Sequence, residues 1–310
     1  MEPKHEFRER IELLMGKEEA EKYFSLFGKP LQNFIRCNTL KILPAELIRK
    51  LKRWHIIQPF HDYPEIMLVK SELMPGELGK ATEHLLGYYY IQDVSSMMPV
   101  LVLEPTKNDF ILDLCAAPGS KTTQIAAKME NSGFLIANDN RIDRISILAS
   151  NMERCGITNA IITREDAANL SEKLKNKIKF DKILVDTSCS GEGVRDLKTL
   201  EIWNFNMIRK FSKNQKRLIA AALSVLKENG ILVYSTCTLT PEENESVLQY
   251  AIENFDVKVE KIELPLKSRD GILKWEDETF DEQIKNARRI YPKDNDSEGF
   301  FVAKLRKEGE

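Results

Sequence analysis

The sequence predicts an α/β protein, a mostly parallel sheet with helices on both faces preceded by a small α+β unit, and three observations carry that prediction. Beyond about residue 90, short β-type runs alternate with amphipathic helical stretches, the pattern of βαβ units. Before it, one helical stretch is followed by isolated extended pieces. The first of the later β-type runs ends in a turn of small residues that opens directly into a helix, as at the ligand-binding edge of open α/β sheets. We therefore expect one unit at 1–88 and a larger one at 89–310.

In the first unit, residues 7–27 read as helical from Phe7, Ile11, Leu14, Met15, Tyr23, Phe24 and Phe27. A strand at 33–37, a helix at 45–54 and an extended piece at 66–69 follow. In the second unit, strands are expected at 110–114, 134–138, 160–163, 182–185 and 231–235. A helix at 207–227 carries apolar Ile208, Phe211, Leu218, Ala222, Val225 and Leu226, and Asn229-Gly230 reads as its stop. Thr240-Pro241-Glu242-Glu243 reads as a capping box, which leaves 236–239 as a tight strand-to-helix turn.

Composition sets the class. With 42% apolar and 30% charged residues the chain is globular, and no apolar run approaches the roughly 20 residues of a membrane helix. No apolar signal region opens the chain, so a cytoplasmic protein with no membrane partner is expected. Five cysteines without a C-x-x-C pair, and four histidines away from ligand spacing, predict free thiols and no metal site. The 46 basic and 48 acidic residues leave −2, which excludes a polycation but not a local basic surface. Between Lys29 and Arg53 seven basic residues face Glu46 alone. That run is either a solvated face or a phosphate-tracking surface, with Phe34, Trp54 and Phe60 near enough in sequence to stack on bases. Residues 205–217 carry Arg209, Lys210, Lys213, Lys216 and Arg217 with no acid, offset by five acids within 276–282.

Three motifs carry chemistry. ILDLCAAPGSKTTQIAAKM (111–129) is neither GxGxxG nor a P-loop, so NAD and ATP are disfavoured. Asp113, Asp139 and Asp166 close or follow successive strands. Each alone is a turn former or a cap, whereas together they point to a nucleoside-bearing cofactor. KILVDTSCSGEG (182–193) sets Cys189 three residues after Asp186, and ILVYSTCTLTPEEN (231–244) sets Cys237 at the end of the last strand. In isolation either thiol is a small buried hydrophobe, as assumed for Cys37 and Cys155. At one sheet edge, both can share a pocket with Asp186. A thiolate adding to carbon-6 of cytosine makes carbon-5 able to attack a methyl sulfonium, and cysteine is the nucleophile most readily ionised for this.

Those motifs, with Arg36-Cys37-Asn38, GYYYIQDVSSMMPV (87–100), STCTLTPEENE and GFFVAKL (299–305), make the sequence resemble the Sun-type RNA cytosine-5 methyltransferases, which use S-adenosylmethionine. The resemblance implies a Rossmann-like methyltransferase domain behind an N-terminal RNA-binding subdomain. It implies that Cys115, Ala116, Ala117, Pro118, Gly119, Ser120 and Lys121 cradle the methionine and ribose of S-adenosyl-L-methionine. Asp139 would hold the ribose with Arg144 nearby, and Asp166 the adenine. Cys237 would be the nucleophile and Cys189 would assist release, while Asp186 would bind the cytosine edge beside the cofactor and Lys121 would position the reacting groups. Arg36, Lys50, Lys52 and Arg53 are the expected RNA contacts, tRNA is favoured as substrate, and a monomer is expected. An rRNA substrate and a silent RNA-binding assembly factor are the alternatives.

The chain departs from the family at Thr187-Ser188, where Ala-Pro or Pro-Pro is usual, and at Lys293, where a histidine commonly follows the proline. A DNA cytosine-5 methyltransferase would use Cys189 as nucleophile, and Ser188-Cys189 together with Thr236-Cys237 disfavours it. Methylation of an exocyclic amine calls for an Asp-Pro-Pro-Tyr-like turn, which is missing.

Overall fold

Gly16, at φ 82°, breaks the first helical stretch into His5–Met15 and Lys17–Phe24 in the computed structural model, which describes residues 3–309. The predicted single helix over 7–27 is therefore two, because only glycine takes that backbone without strain. Their buried face, Phe7, Ile11, Ala20 and Tyr23, packs on Leu200, Trp203, Leu239 and Tyr291 of the second unit.

Four strands, β1 (Asn33–Cys37), β2 (Ile56–Ile57), β3 (Ile66–Val69) and β4 (Tyr89–Ile91), form an antiparallel sheet in the order β2-β3-β1-β4. The pairing of β4 with β1 carries this sheet three residues past 88. Ile35, Met67, Val69 and Tyr89 pack against Leu47, Leu51 and Trp54. The helix expected at 45–54 spans Pro44–Lys50, with proline in its first turn, and turns away at Leu51.

The main sheet begins with β5 (Phe110–Asp113), β6 (Phe134–Asp139), β7 (Ala160–Arg164), β8 (Phe180–Asp186) and β9 (Leu226–Thr236). These run parallel in the order β7-β6-β5-β8-β9. The chain winds outward from β5 one way and returns through β8 the other, so the crevice of the sheet opens above the carboxyl ends of β5 and β8. Ile111, Leu112, Ile183, Leu184, Val185, Leu232 and Tyr234 are all fully buried, as strands covered on both faces require.

Three features differ from the sequence expectation. The long helix spans Phe205–Val225, because Leu226 is extended and already pairs with Phe180. Asn229-Gly230 is thus not a helix stop; Asn229, at φ 59°, turns an excursion inside β9 before Ile231 resumes pairing with Lys182. Thr240 does not cap a helix: a 3-10 turn, Pro241–Glu243, precedes the helix Glu245–Asn254. Finally, β10 (Val257–Glu260), β11 (Arg269–Asp270), β12 (Lys274–Trp275), β13 (Glu278–Thr279), β14 (Arg288–Ile290) and β15 (Phe300–Lys307) follow the parallel core. Of these, β15 lies antiparallel against β9, from Phe301↔Thr236 to Arg306↔Ile231.

Candidate active site

Because β8 and β9 are parallel neighbours with Asp186 opposite Ser235, the residues that follow each strand leave the sheet side by side. The two half-buried sulfurs of Cys189 and Cys237 lie 3.2 Å apart. The hydrogen bond to Cys237, together with burial, holds the Cys189 thiol well above the usual thiol range. Either sulfur can be the donor of their contact.

Backbone contact fixes the loops. The Gly193 N–H donates to the Cys237 carbonyl at 2.9 Å, and the Gly299 N–H, at the entry to β15, donates to the Gly193 carbonyl at 2.8 Å. A Cβ at Gly193 would lie 2.6 Å from the Cys237 carbonyl oxygen and closer still to that of Gly299. Side chains cross-link the same loops. Glu192 accepts from the Thr240 hydroxyl and the Trp203 indole, and Glu243 from the Gln215 amide. Neither acid was a candidate from sequence, where Glu243 reads as part of a helix cap.

Lys121, in the first turn of the helix Ser120–Lys128, is 6% exposed and reaches Asp186 Oδ2 at 2.9 Å and the Ser96 hydroxyl at 2.8 Å. The Ser235 hydroxyl donates to Asp186 Oδ1 at 2.7 Å. The sheet therefore brings Lys121, Asp186, Cys189 and Cys237 to one edge. Asp113 is sealed beneath it with Thr122 donating to it, and burial pushes its carboxyl up to about 7.

Beside the cysteines a cleft is lined by Cys115, Asp139, Asp166, Ser188, Asn214 and Arg217, with Leu114, Ala167 and Leu218 as apolar wall. Gly119, at φ 105°, turns the strand end into the helix. Asp139 accepts from the N–H groups of Ala117 (3.3 Å) and Arg141 (3.0 Å) and pairs with Arg144 at 3.2 Å, while Arg144 also donates to the Ala117 carbonyl. Asp139 and Arg144 thereby tie residues 115–120 to β6. Asp166 caps the helix Ala167–Leu174 and takes a two-pronged bond from Arg217, 2.7 and 2.8 Å. Neither Asn214 nor Arg217 was expected here; their spacing on one helix face was the available signal. Asp139, Glu165 and Asp166 give the cleft a carboxylate edge, which suits ribose hydroxyls and an exocyclic amine and disfavours polyphosphate. Among the described residues no cluster of three or more His, Cys, Asp or Glu side chains is placed to hold a metal ion, and no helix is long and apolar enough to cross a membrane.

The four expected RNA contacts fare differently. Arg36 is 3% exposed, and its guanidinium is committed to Gln92, the Ser120 carbonyl (2.7 Å) and Thr123 (2.8 Å). Desolvation lowers it to about 10, and no phosphate reaches it; Arg36 stitches β1 to the start of the helix Ser120–Lys128. Phe34 and Trp54 are also core side chains, at 6% and 7% exposure, and offer no stacking platform. Lys52 is exposed, Lys50 lies over Tyr88, and Arg53 bonds Glu83 at 2.9 and 2.6 Å. That group sits near Asn38, whose side chain donates to the Cys155 carbonyl. Cys155 ends the helix Ile142–Cys155, which descends from the carboxyl end of β6 to the start of β7.

Comparison with known proteins agrees with this geometry. Residues 100–306 match the family described as 16S rRNA methyltransferase RsmB/F, and residues 4–94 match the N-terminal domain of 16S rRNA methyltransferase RsmF. The chain is 38% identical over 314 residues to a tRNA (cytosine(49)-C(5))-methyltransferase from Pyrococcus abyssi, covering 99% of each. It is 38% identical over 302 residues to ribosomal RNA small subunit methyltransferase F from Psychromonas ingrahamii, covering 95% of this chain but 61% of that one. A crystal structure of a methyltransferase homologue from Pyrococcus horikoshii superposes with a TM-score of 0.86 at 35% identity, covering 97% of this chain and 94% of that one. NSun6 from Pyrococcus horikoshii, solved with SFG, gives a TM-score of 0.86 at 28% identity over 99% and 98%. With the paired cysteines, the nucleoside-shaped cleft and both family matches in agreement, the chain belongs to the RsmB/F family of S-adenosylmethionine-dependent RNA cytosine-5 methyltransferases.

Proposed function

We propose that the protein methylates carbon-5 of a cytosine in tRNA through a covalent bond from Cys237 to carbon-6. The observation that carries the chemistry is the 3.2 Å pairing of Cys189 and Cys237 beside the Lys121–Asp186 ion pair. The choice of tRNA over rRNA is supported by the likeness to the tRNA (cytosine(49)-C(5))-methyltransferase, which covers 99% of both chains.

S-adenosyl-L-methionine supplies a methyl group on a sulfonium when bound, and the residues to hold it are those around the cleft. Residues 115–121 would face its amino-acid and ribose portions, Asp139 with Arg144 its ribose, and Asp166 with Arg217 its base. The Cys237 thiolate adds to carbon-6 of the extruded cytosine, forming the S–C bond while nitrogen-3 takes a proton delivered from solvent along the Asp186 edge. Asp186 holds that ring edge, and Lys121 holds Asp186. Carbon-5 gains the methyl group. Loss of the carbon-5 proton to solvent reforms the carbon-5–carbon-6 double bond and breaks the S–C bond, the nitrogen-3 proton goes back along the Asp186 edge, and the Cys189 thiol assists release by hydrogen-bonding the departing Cys237 thiolate. A stacked target base is flipped to reach the pocket, at a cost of a few kcal/mol.

RNA lies along the exposed side of the long helix, where Lys210 and Lys213 share a face with the cleft-lining Asn214 and Arg217. Lys50, Lys52 and Arg53 are the second candidate surface. The experiment is transfer of radiolabelled methyl to tRNA and to rRNA, with bisulfite sequencing of RNA from cells lacking the protein. Labelled tRNA and a lost tRNA site are expected. Label in rRNA alone would assign the rRNA substrate, and label in neither would return the chain to an RNA-binding role.

A further inference from the structure

Two carboxylates lie between the cysteine-bearing loops, and the chemistry above gives them no part. Glu192 stands three residues after Cys189 and Glu243 six after Cys237; their exposures are 1% and 0%. Two buried acids side by side are tolerated only if their hydrogen bonds and protons are accounted for.

Glu192 Oε1 accepts from the Trp203 indole N–H at 2.6 Å and the Thr240 hydroxyl at 2.7 Å, and Glu192 Oε2 accepts from the Thr238 hydroxyl. Glu243 accepts from the Gln215 amide at 2.8 Å and from the Ser190 N–H at 3.2–3.3 Å. The Ser190 hydroxyl touches both acids, 2.8–2.9 Å from Glu192 and in contact with Glu243 Oε1. A hydroxyl has a single proton to donate, so Ser190 satisfies one carboxylate and accepts from the other, and the Thr238 hydroxyl, 3.0 Å from Ser190, spends its own proton on Glu192. Glu192 draws three side-chain donors against the single side-chain donor of Glu243, so the negative charge is better satisfied on Glu192. The proton therefore sits on Glu243, which donates to Ser190, which donates to Glu192.

We propose that Glu192 and Glu243 are positioning residues sharing one proton, carried by Glu243, through Ser190, and that this bridge sets the Cys189 and Cys237 sulfurs in register. Each acid belongs to one cysteine's loop and is bonded to the other's: Glu243 to Ser190, next to Cys189, and Glu192 to Thr238, next to Cys237. The bridge also explains how the turn does without proline at Ser188, since Gln215 donates to the Ser188 carbonyl at 3.1 Å as well as to Glu243. Burial and the Glu192 charge push the Glu243 carboxyl up to about 8. The other titratable groups facing the pair are Cys189, Tyr234, whose hydroxyl donates to the Glu243 carbonyl, and Tyr23, whose hydroxyl donates to the Glu192 carbonyl. Raising the pH through that value places a second negative charge in the bridge, so methyl transfer falls on the alkaline side.

The inference rests on the cysteine roles proposed above. It is tested with the full chain by single-turnover methyl transfer to tRNA against pH, with S-adenosylmethionine binding and thermal unfolding as checks on folding. Glu243→Ala and Glu192→Ala are each expected to slow transfer by about a hundredfold, the effect of a 1 Å misplacement, with the KM for RNA little changed. Glu243→Gln, which keeps a neutral donor towards Ser190, restores most of the rate and removes the alkaline fall. Glu192→Gln, which brings an N–H group into three existing donors, does not restore it. Should the alanine variants fail to fold, Ser190→Ala carries the test, because it deletes only the shared hydroxyl and should still slow transfer and shift the alkaline fall. Equal rescue by both glutamines, an alkaline fall unchanged in Glu243→Gln, or an unaffected Ser190→Ala overturns the bridge. If the wild-type chain itself transfers no methyl and traps no RNA, the proposed reaction fails instead.

Discussion

At the residue scale, the two cysteines separate by what each does to a covalent RNA adduct. Cys237→Ala is expected to abolish both methyl transfer and any adduct on a denaturing gel. Cys189→Ala should let the adduct accumulate, since addition proceeds and release fails. A Cys237→Ala protein that still trapped RNA would exchange the two roles. Asp139 offers a second check through its bonds to Ala117 and Arg144. Losing charged hydrogen bonds worth about 1.5–3 kcal/mol, Asp139→Ala should bind S-adenosylmethionine roughly ten- to hundredfold more weakly by calorimetry. Unchanged affinity would remove Asp139 from the cofactor site. Residues of this kind were legible because a strand end plus a small-residue turn marks them locally. Arg36 was not legible: its charge suggested a surface, but its partners Ser120 and Thr123 lie more than eighty residues away.

At the element scale, the two cysteine-bearing loops meet at one backbone crossing. Gly193→Ala pushes a methyl into the Cys237 and Gly299 carbonyls. Overpacking of that order costs about 1–3 kcal/mol, measurable by urea denaturation, and should slow transfer beyond what the lost stability explains. A substitution neutral in both would mean that the loops yield without consequence. The parallel strands were readable from sequence because burial on both faces leaves continuous apolar runs. The helix-end signals were misread for a different reason. Asn229-Gly230 does turn the chain, but Leu226 has by then joined the sheet. Thr240 resembles a cap, yet its hydroxyl is drawn to Glu192, forty-eight residues upstream, and local pattern carries no record of that contact.

At the scale of the whole molecule, net charge near zero conceals two basic runs, one on the long helix and one in the N-terminal unit. Lys210→Ala with Lys213→Ala is expected to weaken tRNA binding and to lower the slope of log affinity against log salt by about 1.5, near 0.7–0.9 per phosphate contact. Neutralising Lys50, Lys52 and Arg53 should weaken binding and flatten the salt dependence less. The reverse order would move the main RNA footprint to the N-terminal unit, and no change for the triple variant would make that run a solvated face. Sequence alone ranked the N-terminal run first because it counts charges. That Arg36 of the same run is buried depends on its reaching Ser120 and Thr123, which a count of charges does not record.

The contact between Gly299 and Gly193 also sets an order of events during synthesis. Up to residue 299 a growing chain can carry both cysteines, the cofactor cleft and the five parallel strands, yet β9 still has an open edge and the Cys189 loop lacks its last backbone anchor. Docking of β15 closes both at once. Both cysteines are therefore made before the strand whose docking anchors their loops, and a chain truncated short of β15 is expected to transfer no methyl in the radiolabel assay.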